Sequence, residues 1–205
     1  MPASDSIPAL VNDVITADRD LVIRRMRDHV EDYERIVAWR NRPHVREWWD
    51  PDDPPLTLEA AIEELRAETQ PSNPTAACII EVSGTPAGYI QFYPWDGEQA
   101  YLGEVGITLP GGAWGLDIFI GEAALVDQGI GSRTVRLLSD HLFSDFAATA
   151  VALVTEAGNT RAQAAYVRAG MRPVERFLDT DLRNGQRVES MLMIRDRPGG
   201  TADER

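Results

Sequence analysis

Ile118-Phe119-Ile120, followed after a short connection by Val126-Asp127-Gln128-Gly129-Ile130-Gly131-Ser132-Arg133, is the stretch whose reading decides the fold. Leu116 to Ile120, which ends in the first three of these residues, reads as a buried strand. Gly131 to Phe143 reads as a helix, with Val135, Leu138 and Leu142 on one apolar stripe. A strand therefore hands over to a helix N-terminus through a turn that carries two glycines. Glycine lets backbone N–H groups approach a ligand closely. The first N–H groups of a helix lack intrahelical partners and point outward. With the helix dipole they form an anion site, for which a diphosphate is a natural guest. Such a turn also serves merely to start a helix. It is not a dinucleotide fingerprint, lacking the third glycine and an acidic residue ending the following strand. Nor is it a P-loop, lacking the Gly-Lys-Ser/Thr ending.

Outward from this stretch, the chain alternates strand and helix signals. Residues 1–20 read as a loose leader, and Leu21 to Met26 as a first strand. Glu31 to Arg40 predicts a helix, ended by Asn41-Arg42-Pro43. Thr57 is placed to cap a second helix running to about Glu68. Ala76 to Val82 and Ala87 to Tyr93 predict a hairpin around Ser83-Gly84-Thr85-Pro86. A Gly-rich acidic loop over 94–113 follows. Val151 to Thr155 predicts a strand, and Asn159 caps a helix that Gly170 closes. Two last strands, 171–178 and 188–195, flank an Asn184-Gly185 turn signal. The tail from Pro198 is predicted to be disordered, which leaves a domain over residues 21–197. The order predicts an α/β fold, a mixed central β-sheet flanked by helices.

Composition narrows the function classes. The lone cysteine, Cys78, lies in an apolar run, so no intramolecular disulfide is possible and a buried small hydrophobe is expected. His29, His44 and His141 show no ligand spacing, so no metal site is expected. No stretch approaches the roughly 20 apolar residues that span a bilayer. The polar, acidic start lacks the features of a secretory signal, so a cytoplasmic protein without a membrane partner is expected. A net charge of −13 disfavours nucleic acid and favours cations. Acids gather on the expected loops: Asp50, Asp52, Asp53, Asp96, Glu98, Glu104 and Glu156. Asp117 stands apart, because it sits inside an apolar strand run where an unpaired charge is costly. A site role explains it best. Trp48 and Trp49 are suited to stack on sugar rings or face a cation, or else to cap the first helix.

Two motifs in the right order resemble the GNAT N-acetyltransferase superfamily. Val126-Asp127-Gln128-Gly129-Ile130-Gly131 is similar to its coenzyme A motif, Arg/Gln-x-x-Gly-x-Gly/Ala, with Val126 in place of the usual Arg or Gln. Arg133, one turn into the helix, is placed to compensate. Asn159-Thr160-Arg161-Ala162, Tyr166 and Gly170-Met171 resemble the family's Asn-x-x-Ala-x-x-x-Tyr-x-x-x-Gly-Phe signature. Seven residues separate Asn159 from Tyr166, about two helical turns, so both share a face. The resemblance spans residues 21–196.

Within that family the chain looks like the aminoglycoside 6′-N-acetyltransferases. Glu47-Trp48-Trp49, Gly88-Tyr89-Ile90-Gln91-Phe92-Tyr93 and Gly115-Leu116-Asp117 carry the likeness, as does the 12-residue spacing from Asp117 to Gly129. The resemblance implies acetyl-CoA as donor and a small polycationic amine as acceptor, at the 6′-amine or at a 2′-amine as in kasugamycin-like compounds, conferring resistance. It implies cofactor binding by Ile118, Phe119, Ile120, Gln128, Gly129, Ile130, Gly131, Ser132, Arg133, Asn159, Ala162 and Tyr166. It implies acceptor binding by Trp48, Trp49, Gln91, Tyr93, Asp96, Glu104, Asp117 and Glu156. Asp117 is the acid expected to hold the acceptor ammonium and to accept its proton, directly or through water, with Glu156 the alternative acceptor, and Tyr166 is the expected donor to the leaving thiolate. Two rivals stand: a siderophore or lysine-type N-acyltransferase, and a non-catalytic module that binds acetyl-CoA or drug. The protein is expected to be a monomer or homodimer.

Overall fold

The computed structural model describes residues 13–49, 51–180 and 187–199. They fall into two compact units, Met1–Tyr93 with Asp117–Leu137, and Pro94–Leu116 with Leu138–Arg205.

In the first unit the strand order is β1 (Val14–Asp18), β2 (Leu21–Arg25), β3 (Ala76–Val82), β4 (Thr85–Pro94) and then β5 (Trp114–Ile120), whose last residues belong here. β1 to β4 pair antiparallel in sequence order. Ser83 and Gly84, at φ 51° and 76°, make the β3–β4 turn. Two successive positive φ values give the twist a two-residue hairpin needs. Helices α1 (Val30–Arg40), α2 (Pro43–Arg46) and α3 (Leu58–Leu65) follow β2. Tyr33, Ile36 and Trp39, at three-residue intervals, form the buried stripe of α1. Glu31 and Asp32 in its first turn and Arg40 in its last suit the helix dipole. Thr57 Oγ1 caps α3 by accepting from the Ala60 N–H at 3.2 Å, as predicted. α3 is shorter than expected: after Leu65 the chain tightens into a 3-10 turn over Ala67–Thr69. The helices and the sheet meet in a cluster that includes Met26, Tyr33, Ile36, Trp39, Leu65, Tyr89 and Phe119.

Strand β1 corrects the predicted leader. It pairs with β2 within residues read as loose. The sequence hides it because only Ile15 of its five residues is buried. A short, polar edge strand leaves almost no alternation to read. Residues 1–12 of that leader, and Asp50, lie outside the described residues.

In the second unit the strand order is β5, β6 (Ala150–Glu156), β8 (Arg187–Asp196), β7 (Arg172–Thr180). β5 pairs parallel with β6, while β6–β8 and β7–β8 are antiparallel, so strand directions are mixed, as predicted. The stretch 94–113 holds a helix where a loop was expected, α4 (Gln99–Val105), ended by Gly106 at φ 72°. Leu102 is its one buried residue, too little apolar pattern to mark a helix. Its dock is made instead by Tyr101, which stacks on Trp95 and donates from its hydroxyl to Asp179 at 2.8 Å. The long helix α5 (Ile130–Asp145) begins in the first unit and ends in the second, with Val135, Leu138 and Leu142 fully buried. Helix α6 (Thr160–Arg168) is capped as predicted, Asn159 accepting from the Ala162 N–H at 3.1 Å, and Gly170 follows it at φ 97°. The Asn184-Gly185 turn signal and residues 200–205 of the tail lie outside the described residues.

Candidate active site

In the first unit the polar centre is built on two neighbouring strands. Gln91 of β4 donates from Nε2 to Asp117 Oδ2 of β5 at 2.8 Å. Tyr89, two residues earlier on the same face of β4, donates from its hydroxyl to Gln91 Oε1 at 2.7 Å. Gln91 is thereby oriented, its carbonyl toward Tyr89 and its amide toward Asp117. Burial, with the charges of Glu68, Asp117 and Glu64 among its neighbours, drives the Tyr89 hydroxyl well above the usual phenol range. It therefore stays a neutral donor. Asp117 itself is half-buried.

An aromatic wall stands beside this chain. Trp49 meets Phe119 edge-on at 5.0 Å and Tyr89 at 6.0 Å, and Tyr89 stacks on Phe119 at 5.4 Å. Trp39 closes the group, edge-on to Phe119 at 6.4 Å. Of the two expected tryptophans, Trp49 belongs to this wall; Trp48 is half-buried one residue before it.

The end of β5 is held on both sides. The pairing of β5 with β6 covers Trp114 and Gly115, and the strand continues past it through Ile118, Phe119 and Ile120. Gly121 and Glu122 donate from their N–H groups to Ala87 O. Gly88 lets the strands close in: a Cβ there would lie 2.4 Å from Phe119 O. His44 Nε2 lies 3.1 Å from Ile120 O, so its proton sits on Nε2. Arg42 binds Gly121 O and Glu122, and Trp39 Nε1 donates to Glu122 at 2.8 Å. Those two hydrogen bonds hold the Glu122 carboxyl below its usual range. None of Tyr89, Arg42, His44, Glu122 or Glu68 was singled out from the sequence as a site residue. Arg42 and His44 reach the end of β5 and the two residues after it from about 80 positions away, a contact no local pattern announces.

The turn before α5 fits an anion. Asp127 and Gly129 adopt φ 62° and 76°. The first i→i−4 bond of the helix is Arg133 N–H to Gly129 O, so the N–H groups of Ile130, Gly131 and Ser132 precede the ladder. Space is open where side chains would stand at Gly129 and Gly131. Ser132 Oγ is buried and has no hydrogen-bond partner among the described residues. An unused hydroxyl beside amides that precede the helix ladder suits a diphosphate oxygen. Gln128 folds back onto Ala124 O and stiffens the turn. Arg133, expected as a phosphate partner, forms an ion pair with Asp20 at 2.5 Å, and that hydrogen bond raises its pKa.

The remaining expected residues belong to the second unit, apart from Tyr93, which is half-buried at the end of β4. Asp96 and Glu104 are exposed, on the 3-10 turn after β4 and on α4. Glu156 is half-buried at the end of β6, and its carbonyl accepts from the Asn159 N–H and from Gln163. Asn159 and Ala162 are joined by the α6 cap, and Tyr166 is half-buried on the same helix. Among the described residues, no group of three or more His, Cys, Asp or Glu is placed to hold a metal, and no helix is long and apolar enough to cross a membrane.

Known proteins share this architecture. The model of the acetyltransferase (GNAT) domain matches residues 28–178. An aminoglycoside N(6′)-acetyltransferase type 1 from Klebsiella pneumoniae is 30% identical over 158 residues, 77% of each chain. The crystal structure of the aminoglycoside acetyltransferase AAC(6′)-Ib with coenzyme A superposes with a TM-score of 0.68 at 24% identity, covering 86% of this chain and 95% of that one. The same enzyme with ribostamycin and coenzyme A gives 0.69 at 25% identity, covering 87% and 94%.

Proposed function

The chain belongs to the acetyltransferase (GNAT) domain family and uses acetyl-CoA, and from that premise we propose that it acetylates an aminoglycoside in the cytoplasm, at the 6′-amine, as a resistance enzyme. The observation that carries this reading is the Tyr89–Gln91–Asp117 chain beside the Trp49 and Phe119 wall. It presents one oriented, half-buried carboxylate next to an aromatic surface, which suits an ammonium carried on a sugar.

Acetyl-CoA supplies an activated acetyl thioester. The Ile130 to Ser132 amides and Ser132 Oγ hold its diphosphate, and the Ile118 to Ile120 backbone pairs with its amide arm as an added strand would. The Phe119 N–H polarises the thioester carbonyl. Asp117 binds the acceptor ammonium and orients its nitrogen. A neighbouring carboxylate raises the amine's pKa, which favours binding and opposes deprotonation, so orientation is its larger contribution. In the transfer a C–N bond forms and the C–S bond breaks. The nitrogen gives up two protons between ammonium and amide: one leaves before the attack, and the other makes good the proton that Tyr166 gives to the departing thiolate. The Tyr166 role rests on the sequence motif alone.

A panel of aminoglycosides, with siderophore- and lysine-type amines beside them, tests the reading through free-thiol release and product mass. Acetylated aminoglycoside is expected, with a KM that rises steeply with salt, as for a polycation bound by carboxylates. Thiol release only with the lysine-type amines, indifferent to salt, refutes it.

A further inference from the structure

Glu68 has no part in the scheme above, and its setting is unusual. It lies on the 3-10 turn Ala67–Thr69, three residues past Leu65, which packs in the cluster with Tyr89 and Phe119. Arg25 Nη1 donates to the Glu68 backbone carbonyl at 3.2 Å, and Thr69 beside it is buried, so the turn is anchored. The carboxylate makes no use of that arginine. Its Oε2 is buried and has no hydrogen-bond partner among the described residues. A buried carboxylate oxygen without a donor is costly. Such a group calls for an explanation, and work in a site is one.

We propose that Glu68 is the second carboxylate of the acceptor site, receiving the proton that the ammonium gives up before it attacks. This deepens the acetyltransfer reading and rests on it. Asp117 is committed to orientation by the Gln91 amide, whereas the buried Glu68 oxygen is open to a proton. The step balances: the ammonium becomes a neutral amine, the Glu68 carboxylate becomes a carboxylic acid, and the proton passes to solvent after the product leaves.

The groups facing Glu68 support this. Burial first, then the negative charges of Glu64 on α3 and Asp117 on β5, push its carboxyl up to about 7. Glu64 is itself paired with Arg40 at 2.7 Å. Tyr89 on β4 remains a neutral phenol, and Cys78 on β3 is a thiol pushed up to about 12 by burial. Arg25 on β2 is a half-buried guanidinium whose pKa burial lowers, with its buried Nη2 lacking a partner among the described residues. An acid near neutrality is matched to taking a proton at working pH. Below that range Glu68 is already protonated and has no capacity left.

The test compares pH profiles of kcat, by thiol release, for the wild type, Glu68→Gln, Glu68→Asp and Glu64→Gln on whichever panel amine is acetylated. The wild type is expected to show an acidic limb near pH 7. Glu68→Gln loses that limb and about 10- to 100-fold in kcat, within the range for acid–base groups, with KM for acetyl-CoA unchanged. Glu68→Asp restores the limb in part. Glu64→Gln removes one negative neighbour and moves the limb to lower pH with the plateau kept. A purely structural Glu68 lowers stability without moving the limb, and thermal unfolding of each variant reads that directly. If Glu68→Gln folds and keeps the wild-type profile, or if Glu68→Gln does not fold and Glu68→Asp and Glu64→Gln leave the limb in place, the proposal fails alone. If the wild type acetylates no amine, the acetyltransfer reading fails and takes this one with it.

Discussion

Two glycines show how tightly single residues define the site. A Cβ on Gly121 would lie 2.2 Å from Trp39 Cγ, and one on Gly88 2.4 Å from Phe119 O. The first obstacle is an indole packed in the core, the second is backbone of β5. Overpacking of this kind costs about 1–3 kcal/mol. Gly121→Ala is therefore expected to lower unfolding free energy by about that amount. Gly88→Ala is expected to cost at least as much and also to depress turnover, because it displaces the Phe119 backbone. Urea unfolding and thiol release separate the two effects; equal loss of stability with unchanged turnover contradicts the role given to Phe119. Asp117 stands out in the sequence because a charge inside an apolar strand run demands a reason. Asn159 and Thr57 were legible because capping chemistry is local. Glu68 was not: Glu63-Glu64-Leu65-Arg66-Ala67-Glu68 reads as a solvated helix end, and only the fold buries an oxygen of its last acid without a partner among the described residues.

At the scale of elements, α1 is tied to the sheet by charge as well as by its apolar stripe. Arg24 of β2 binds both Asp32 oxygens, at 2.7 and 2.9 Å, and its Nε donates to Glu81 of β3 at 2.7 Å. Both Arg24 and Asp32 are buried. Burial is the largest influence on the Asp32 carboxyl and pushes it up. The Arg24 hydrogen bond, the Arg27 N–H and the charges of Arg24 and Arg35 outweigh it, so the net shift is downward. Because the folded pKa lies below the unfolded one, this stabilisation is present above the ordinary carboxylate range, near pH 3.8, and is lost as pH falls through the folded value. Asp32→Asn is expected to cost about 3–5 kcal/mol at neutral pH, as when one partner of a buried pair is removed. Urea unfolding at pH 7 checks it; a cost under about 1 kcal/mol assigns the pair to the surface class instead. The sequence marked Leu21 to Met26 and Glu31 to Arg40 as strand and helix but not this bond, since a charge eight residues before its partner carries no signature. The reverse failure is β1, whose edge position removed the alternation that makes strands visible.

At the scale of the molecule, the order of strands and helices apart from β1, α2 and α4, the α5 turn and the Asn159–Tyr166 helix were readable, because each rests on local periodicity or caps. Contacts between distant segments, such as those of Arg42 and His44 with the end of β5, were not. The net charge of −13 acquires meaning only through where single acids fall, and Asp117 is the one around which the proposed acceptor site is built. The most direct measurement is therefore kcat for acetyl transfer from acetyl-CoA to kanamycin, by the wild type and by Asp117→Asn, with binding of both substrates to each protein determined separately. Turnover by the wild type and a loss of about 100-fold or more in the variant, with acetyl-CoA binding intact, is the predicted result. A folded variant that acetylates kanamycin at close to the wild-type rate contradicts it.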